Sequence, residues 1–132
     1  MSRKPKFIAD LITSPETWCQ GEFSRDKDGC KLGSWEVNEN CSYCLSGAIR
    51  RIVLDELSER HPDIPRHQLI LSDEQRVAWR EKLNALVPII LSHFPGRVAS
   101  HSNIIVAVFN DHSATTFADI QLIVEKAKER GI

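Results

Sequence analysis

Between Ser42 and Arg60 the apolar residues Leu45, Ala48, Ile49, Ile52, Val53 and Leu57 recur at three- and four-residue spacing. A stripe of that length fits one face of an α-helix and cannot be laid on a strand, whose sides alternate every second residue. A helix so patterned is stable only when other elements cover the stripe. Three further segments can do so. Ser72 has the chemistry of an N-cap, Glu74 and Gln75 occupy the turn after it, and Val77, Leu83, Leu86, Val87, Ile90 and Leu91 continue an apolar face toward His93. Pro88 lies inside that face; it either kinks the helix or opens a second one, because it lacks a donor and crowds the preceding turn. Thr116 with Asp119 three residues on reads as a capping box, Phe117, Ile120, Ile123, Val124 and Ala127 form a face, and Gly131 closes it. A short helix is expected from Lys6 to Thr13, ended by Ser14-Pro15.

Two segments are not helical in pattern. Thr17 to Phe23 and Lys31 to Val37 flank Ser24-Arg25-Asp26-Lys27-Asp28-Gly29, whose Asp-Gly pair suits a tight turn, and together they read as a loose β-hairpin. His61-Pro62-Asp63-Ile64-Pro65 is a connector. Ile104 to Phe109, which follows the break at Phe94-Pro95-Gly96, is apolar on all sides; its β-branched residues favour a strand, although a buried helix has the same pattern. The expected fold is mainly α, or α+β: four to five helices packed around one core with an N-terminal β-hairpin. With 132 residues, 42% of them hydrophobic, residues 1–132 form a single domain that can close one core without metal or disulfide.

Charge and cysteine usage narrow the setting. Seventeen Lys and Arg against eighteen Asp and Glu, with no long block of one sign, give no footprint for phosphate backbones, so nucleic acid is not the favoured partner. The basic start is followed only by Phe7-Ile8-Ala9-Asp10-Leu11-Ile12, which is not a secretory signal, and the longest apolar runs are far below the roughly 20 residues of a membrane span. A soluble, cytoplasmic protein with reduced thiols is expected.

Four cysteines lie in the first third of the chain, and they carry the sharpest chemical readings. Cys44 opens the Ser42–Arg60 helix, where unpaired N–H groups and the positive end of the dipole favour a thiolate. As a nucleophile it would need a base and an orienting group; His112 is the candidate base, and Asn110 or Asp111 the orienter or oxyanion partner. The competing reading ranks ahead: Cys44 packs inward as a small hydrophobe beside Leu45, Ala48 and Ile49, and Asn110-Asp111 forms a connector between helices. A second reading makes Cys19, Cys30, Cys41 and Cys44 a tetrahedral zinc site with Zn–S bonds of about 2.3 Å. Only Cys41-x-x-Cys44 is a tight pair, so the other half would have to assemble across the hairpin. A redox Cys-x-x-Cys lacks its usual βαβ context. Trp18, Trp35 and Trp79 are expected in core and edge packing, and Arg50-Arg51, Arg76, Arg80 and Lys82 on solvated helix faces.

Trp18-Cys-Gln-Gly21, then Cys44-Leu-Ser-Gly47-Ala48, then Phe109-Asn110-Asp111 followed by Thr116-Phe-Ala-Asp119-Ile together resemble a family of small uncharacterised bacterial and phage proteins. The resemblance spans most of the chain and implies that the stretch before Asn110 is helical, against its propensity. It brings no established activity. Cys19 and Cys41 stand outside its pattern. With no phosphate-cradling glycine loop or paired catalytic carboxylates in a defined motif, the expected function is binding or regulation with a protein partner and no cofactor. A cysteine-dependent hydrolase or transferase is the alternative, and a zinc-stabilised domain the second alternative.

Overall fold

The computed structural model describes residues 5–32, 41–97 and 104–132. Among these, five helices pack with a two-stranded antiparallel ladder: β1 (Ser24–Arg25), β2 (Ser42–Tyr43), α1 (Leu45–Arg60), α2 (Arg66–Leu69), α3 (Asp73–His93), α4 (Ile105–Asp111) and α5 (Phe117–Glu129). The mainly helical α+β architecture expected from the sequence is the one observed.

Helix α1 is central. It packs against α2, α3 and α4, and against a 3-10 turn at Ile8–Asp10 that also touches α5. Leu45, Ala48, Ile49, Ile52, Val53 and Leu57 are all buried, and so are Arg50, Leu54 and Asp55. Their neighbours in the core are Ile8, Leu86, Ile89, Ile90, Phe109, Ile120 and Ile123. Each fully buried Ile or Leu contributes about 1.5–3 kcal/mol, so this single cluster dominates the stability.

Local chemistry explains the boundaries. Ser72 accepts the Gln75 N–H at 3.1 Å and starts α3. Helix α3 runs on through Pro88 as one element, since Pro88 and Asn84, whose carbonyl it deprives of a donor, both lie on the exposed side where water can serve. Thr116 and Asp119 exchange the hydrogen bonds of a capping box at the start of α5. Ile104 to Phe109, apolar on every side, is helical from Ile105. Its buried residues Ile105, Val106, Phe109 and Asn110 follow helical spacing, and Phe109 stacks on Phe94 with ring centroids 5.1 Å apart.

A small two-stranded antiparallel hairpin near the N-terminus is present as expected, but its arms and the first helix lie elsewhere than the sequence pattern places them. From Lys6 to Thr13 only the turn Ile8–Asp10 forms, because Asp10 Oδ2 turns back to accept the N–H groups of Lys6 and Phe7, each at 3.0 Å. The Asp26–Gly29 turn sits where the sequence places it, with Gly29 at φ +84° and an Arg25–Lys31 bridge below it. The strand ladder, however, joins Ser24 to Tyr43 and Arg25 to Ser42. Thr17 to Phe23 is not a strand; a 3-10 turn at Pro15–Thr17 leads instead into Trp18, which makes a single parallel bridge with Tyr43. Most of the expected second arm, with Trp35, lies outside the described residues.

Gly47 is fixed by contact. A Cβ there would come within 1.9 Å of the Phe23 carbonyl oxygen, which also accepts the Cys44 N–H at 3.1 Å. The chain entering β1 can therefore lie directly on the first turn of α1.

Candidate functional site

The 18–21 turn, the start of α1 and the end of α4 meet at Asn110, whose side chain is fully buried. Its Oδ1 accepts the Trp18 indole N–H at 2.9 Å and the Leu45 backbone N–H at 3.0 Å. Its Nδ2 donates to the Cys19 carbonyl at 3.1 Å and to Asp111 Oδ1 at 2.9 Å. A carboxamide has two donors and two acceptor lone pairs, and all four are used. The orientation is determined by the neighbours, since reversing the amide would set NH₂ against two N–H donors.

Around this hub the same segments are tied again. Gly21, at φ +83°, donates its N–H to Asp111 Oδ1 at 2.9 Å. Gln20 Nε2 donates to the carbonyls of Asn110 and His112, at 2.9 and 3.2 Å. Thr115 donates to the Phe109 carbonyl at 2.8 Å, and the Trp18 ring rests against Phe117 at the start of α5. The residues that carry the family resemblance thus form one polar junction between three chain segments.

Cys44 stands at the N-cap of α1, where its Sγ accepts the Gly47 N–H at 3.2 Å. The Leu45 N–H, another free donor of that first turn, is taken by Asn110. Only 6% of Cys44 is exposed. Burial pushes its thiol up to about 12; the Gly47 N–H pulls the other way, and the neighbouring Cys19 and Asp111 add to the rise. A helix start alone favours thiolate, but loss of water outweighs it here. Asn110 and Asp111 are brought to Cys44's neighbourhood and His112 is not joined to it: His112 Nδ1 accepts the Ala114 N–H at 3.0 Å, and among the described residues no imidazole hydrogen-bonds to Cys44.

The four cysteines do not form a tetrahedral set. Cys19, Cys41 and Cys44 are buried, Cys30 is exposed, and no disulfide joins any of them. Burial also raises the Cys19 thiol, whose Sγ faces the Glu22 carbonyl at 3.5 Å. Among the described residues no three His, Cys, Asp or Glu side chains cluster as metal ligands, so the described residues offer no tetrahedral set for zinc.

The arginine pair of α1 departs from expectation. Arg50 is only 8% exposed, with its guanidinium 4.1 Å from the Phe23 ring centroid and 5.4 Å from that of Trp79. Trp79 is held by its Nε1–H, which donates to the Ser46 carbonyl at 3.0 Å. Arg51 donates to Tyr43 Oη at 2.6 Å and to Asp55 Oδ2 at 3.0 Å; Asp55 Oδ1 accepts from Arg66 at 2.7 Å. The signal was present in spacing: Arg50 leads Leu54 and Leu57 at the four- and seven-residue intervals of one helix face. Reading the residue by charge alone hid it.

Among the described residues no helix is long and apolar enough to cross a membrane. No curated protein and no solved structure matches the chain. A family profile matches residues 7–130, nearly the whole chain. The motif-bearing segments that meet at Asn110 fall within that match, and the chain belongs to the family of unknown function DUF6197.

Proposed function

We propose that this chain is a small binding or regulatory protein of bacterial or phage origin, working in the cytoplasm through a protein partner, rather than a cysteine enzyme. The observation that carries the reading is Cys44: a thiol 6% exposed, raised to about 12 and bonded to a backbone N–H of its own helix is suited to packing and not to attack. Asn110 has no hydrogen-bonding capacity left for a substrate. In contrast, Ile64, Leu71 and Val77 remain exposed around α2 and the start of α3, Leu71 by 82%. Large apolar side chains in that setting favour a partner surface.

The test is competitive alkylation of the native protein at neutral pH with each cysteine mapped by mass spectrometry. Cys30, the exposed thiol, is expected to react first, and Cys44 only as the protein unfolds. Fast modification of Cys44 ahead of Cys30 would return the hydrolase or transferase reading to first place.

A further inference from the structure

Cys19 and Cys44 are neighbours across a pair of extended segments. Trp18 bridges Tyr43 in parallel, and the Cys19 N–H donates to the Tyr43 carbonyl at 3.1 Å. One residue further along the same register, Cys19 stands opposite Cys44. Neighbouring strands run about 4.8 Å apart, inside the range of about 4.4–6.8 Å that the Cα atoms of a disulfide keep.

The two thiols also share a face. Trp18 (φ −111°, ψ 138°) and Cys44 (φ −80°, ψ 170°) are extended, so side chains alternate along both segments. Ser42 and Cys44 therefore project to one side, and Arg25, which pairs with Ser42, projects with them. The Cys19 thiol has Ser42 and Arg25 beside it, which places it on that side, and Cys44 in turn feels the Cys19 sulfur. Trp18 and Tyr43 take the opposite face, with the indole on Asn110 and the phenol on Arg51. Both thiols are buried, Cys19 at 8% and Cys44 at 6% exposure. The other two cysteines are placed differently: Cys30 is exposed, and Cys41 lies against the Tyr43 phenol.

From this register we infer that Cys19 and Cys44 are a redox-responsive pair, closed to an intramolecular disulfide by a small disulfide of the oxidised glutathione class. Cys19 enters first, because Ser42 and Arg25 both favour its thiolate against burial. It attacks one sulfur of the small disulfide, and the expelled half leaves as a thiol carrying the proton Cys19 lost. Cys44 then gives its proton to solvent and attacks the Cys19 sulfur, and the second half leaves as a thiolate that takes a proton back. Two protein thiols are oxidised by two electrons, and one small disulfide is reduced to two thiols. The attack by Cys44 is intramolecular, so it proceeds from a thiol that reagents in solution do not reach. In a reducing compartment such a bond is transient and responds to the thiol pool. It ties the 18–21 turn covalently to the N-cap of α1, the two segments that Asn110 already joins by hydrogen bonds. The inference rests on strand register and is independent of which partner the protein binds.

The experiment equilibrates the whole native protein at neutral pH in mixtures of reduced and oxidised glutathione, then quenches with acid, alkylates the remaining thiols and maps the peptides by mass spectrometry. A Cys19–Cys44 link that dithiothreitol reverses is expected, with circular dichroism showing the helices intact throughout. The glutathione equilibrium should favour the link about tenfold or more over that in the urea-unfolded chain, since folding brings the two sulfurs together. Cys19→Ser and Cys44→Ser should each abolish it. The double variant Cys30→Ser, Cys41→Ser leaves the pair in place and should keep the link, which gives a second reading if the single variants do not fold. A link through Cys30 or Cys41, glutathione held on Cys19 without closure, no link at the most oxidising ratio, or an equilibrium no more favourable than in urea would overturn the pair.

Discussion

Asn110 Oδ1 accepts the Leu45 backbone N–H at 3.0 Å, so the end of α4 caps the beginning of α1 across 65 residues of sequence. The same oxygen holds the Trp18 indole. One amide therefore sets the relative positions of the 18–21 turn, the central helix and the helix leading to α5.

Replacing it should be severe. Asn110→Ala leaves the Leu45 N–H, the Trp18 Nε1–H and the Cys19 carbonyl without their partner in a buried place. At about 1–3 kcal/mol for each unsatisfied group, with non-additivity between neighbours, a loss of about 3 kcal/mol or more is expected in urea denaturation. A loss below about 1 kcal/mol would mean that water replaces the amide easily.

Gly47→Ala tests the contact between α1 and the chain before β1. The added methyl meets the Phe23 carbonyl oxygen at 1.9 Å, and a backbone atom held by the Cys44 N–H cannot step aside cheaply. Overpacking of this kind costs about 1–3 kcal/mol, which the same denaturation series would measure.

Acid should act weakly through Asp119. Burial alone would raise its carboxyl, but hydrogen bonds from Arg97 and from Thr116 bring it below the ordinary value. A carboxyl lowered by folding adds stability that is complete above its unfolded value of about 3.9 and disappears as the pH falls through the folded one. The side chain is 20% exposed, so solvent screening limits the contribution to less than about 1 kcal/mol. Comparing Asp119→Asn with the parent from pH 6 down to about pH 2 should show a slightly shallower acid loss in the variant.

Chelation should leave the fold alone. With Cys30 exposed and the other three cysteines buried apart from any described ligand cluster, the melting temperature in a strong chelator is expected to equal that in buffer. A large drop in chelator, or zinc in stoichiometric amount in the purified protein, would contradict the observed arrangement.

Helices α1, α3 and α5 were legible because period and caps agree: Ser72 and Thr116 sit where their oxygens accept the first free N–H groups. Ile105–Asp111 was not legible from periodicity, since residues apolar on every side satisfy strand and helix alike; the family resemblance supplied what pattern withheld. The partner of β1 was missed for a different reason. Ser42 and Tyr43 read as the opening of the helix, yet Cys44 is the N-cap and the two residues before it are extended. At the site, sequence placed Cys44 at a helix start and grouped Asn110 with Asp111, both correctly. It could not give the sign of the thiol's shift, which depends on how much water the packed core excludes. Nor does a run of charges reveal burial: charge alone places Arg50 in solvent, whereas it is 8% exposed.

The pH dependence of Cys44 alkylation, followed in the folded protein below its denaturation range, tests the account most directly. The rate should keep climbing with pH and reach no plateau near neutrality, in line with a thiol raised to about 12. A plateau close to pH 7 would show a stabilised thiolate and contradict the claim that the start of α1 is a structural junction.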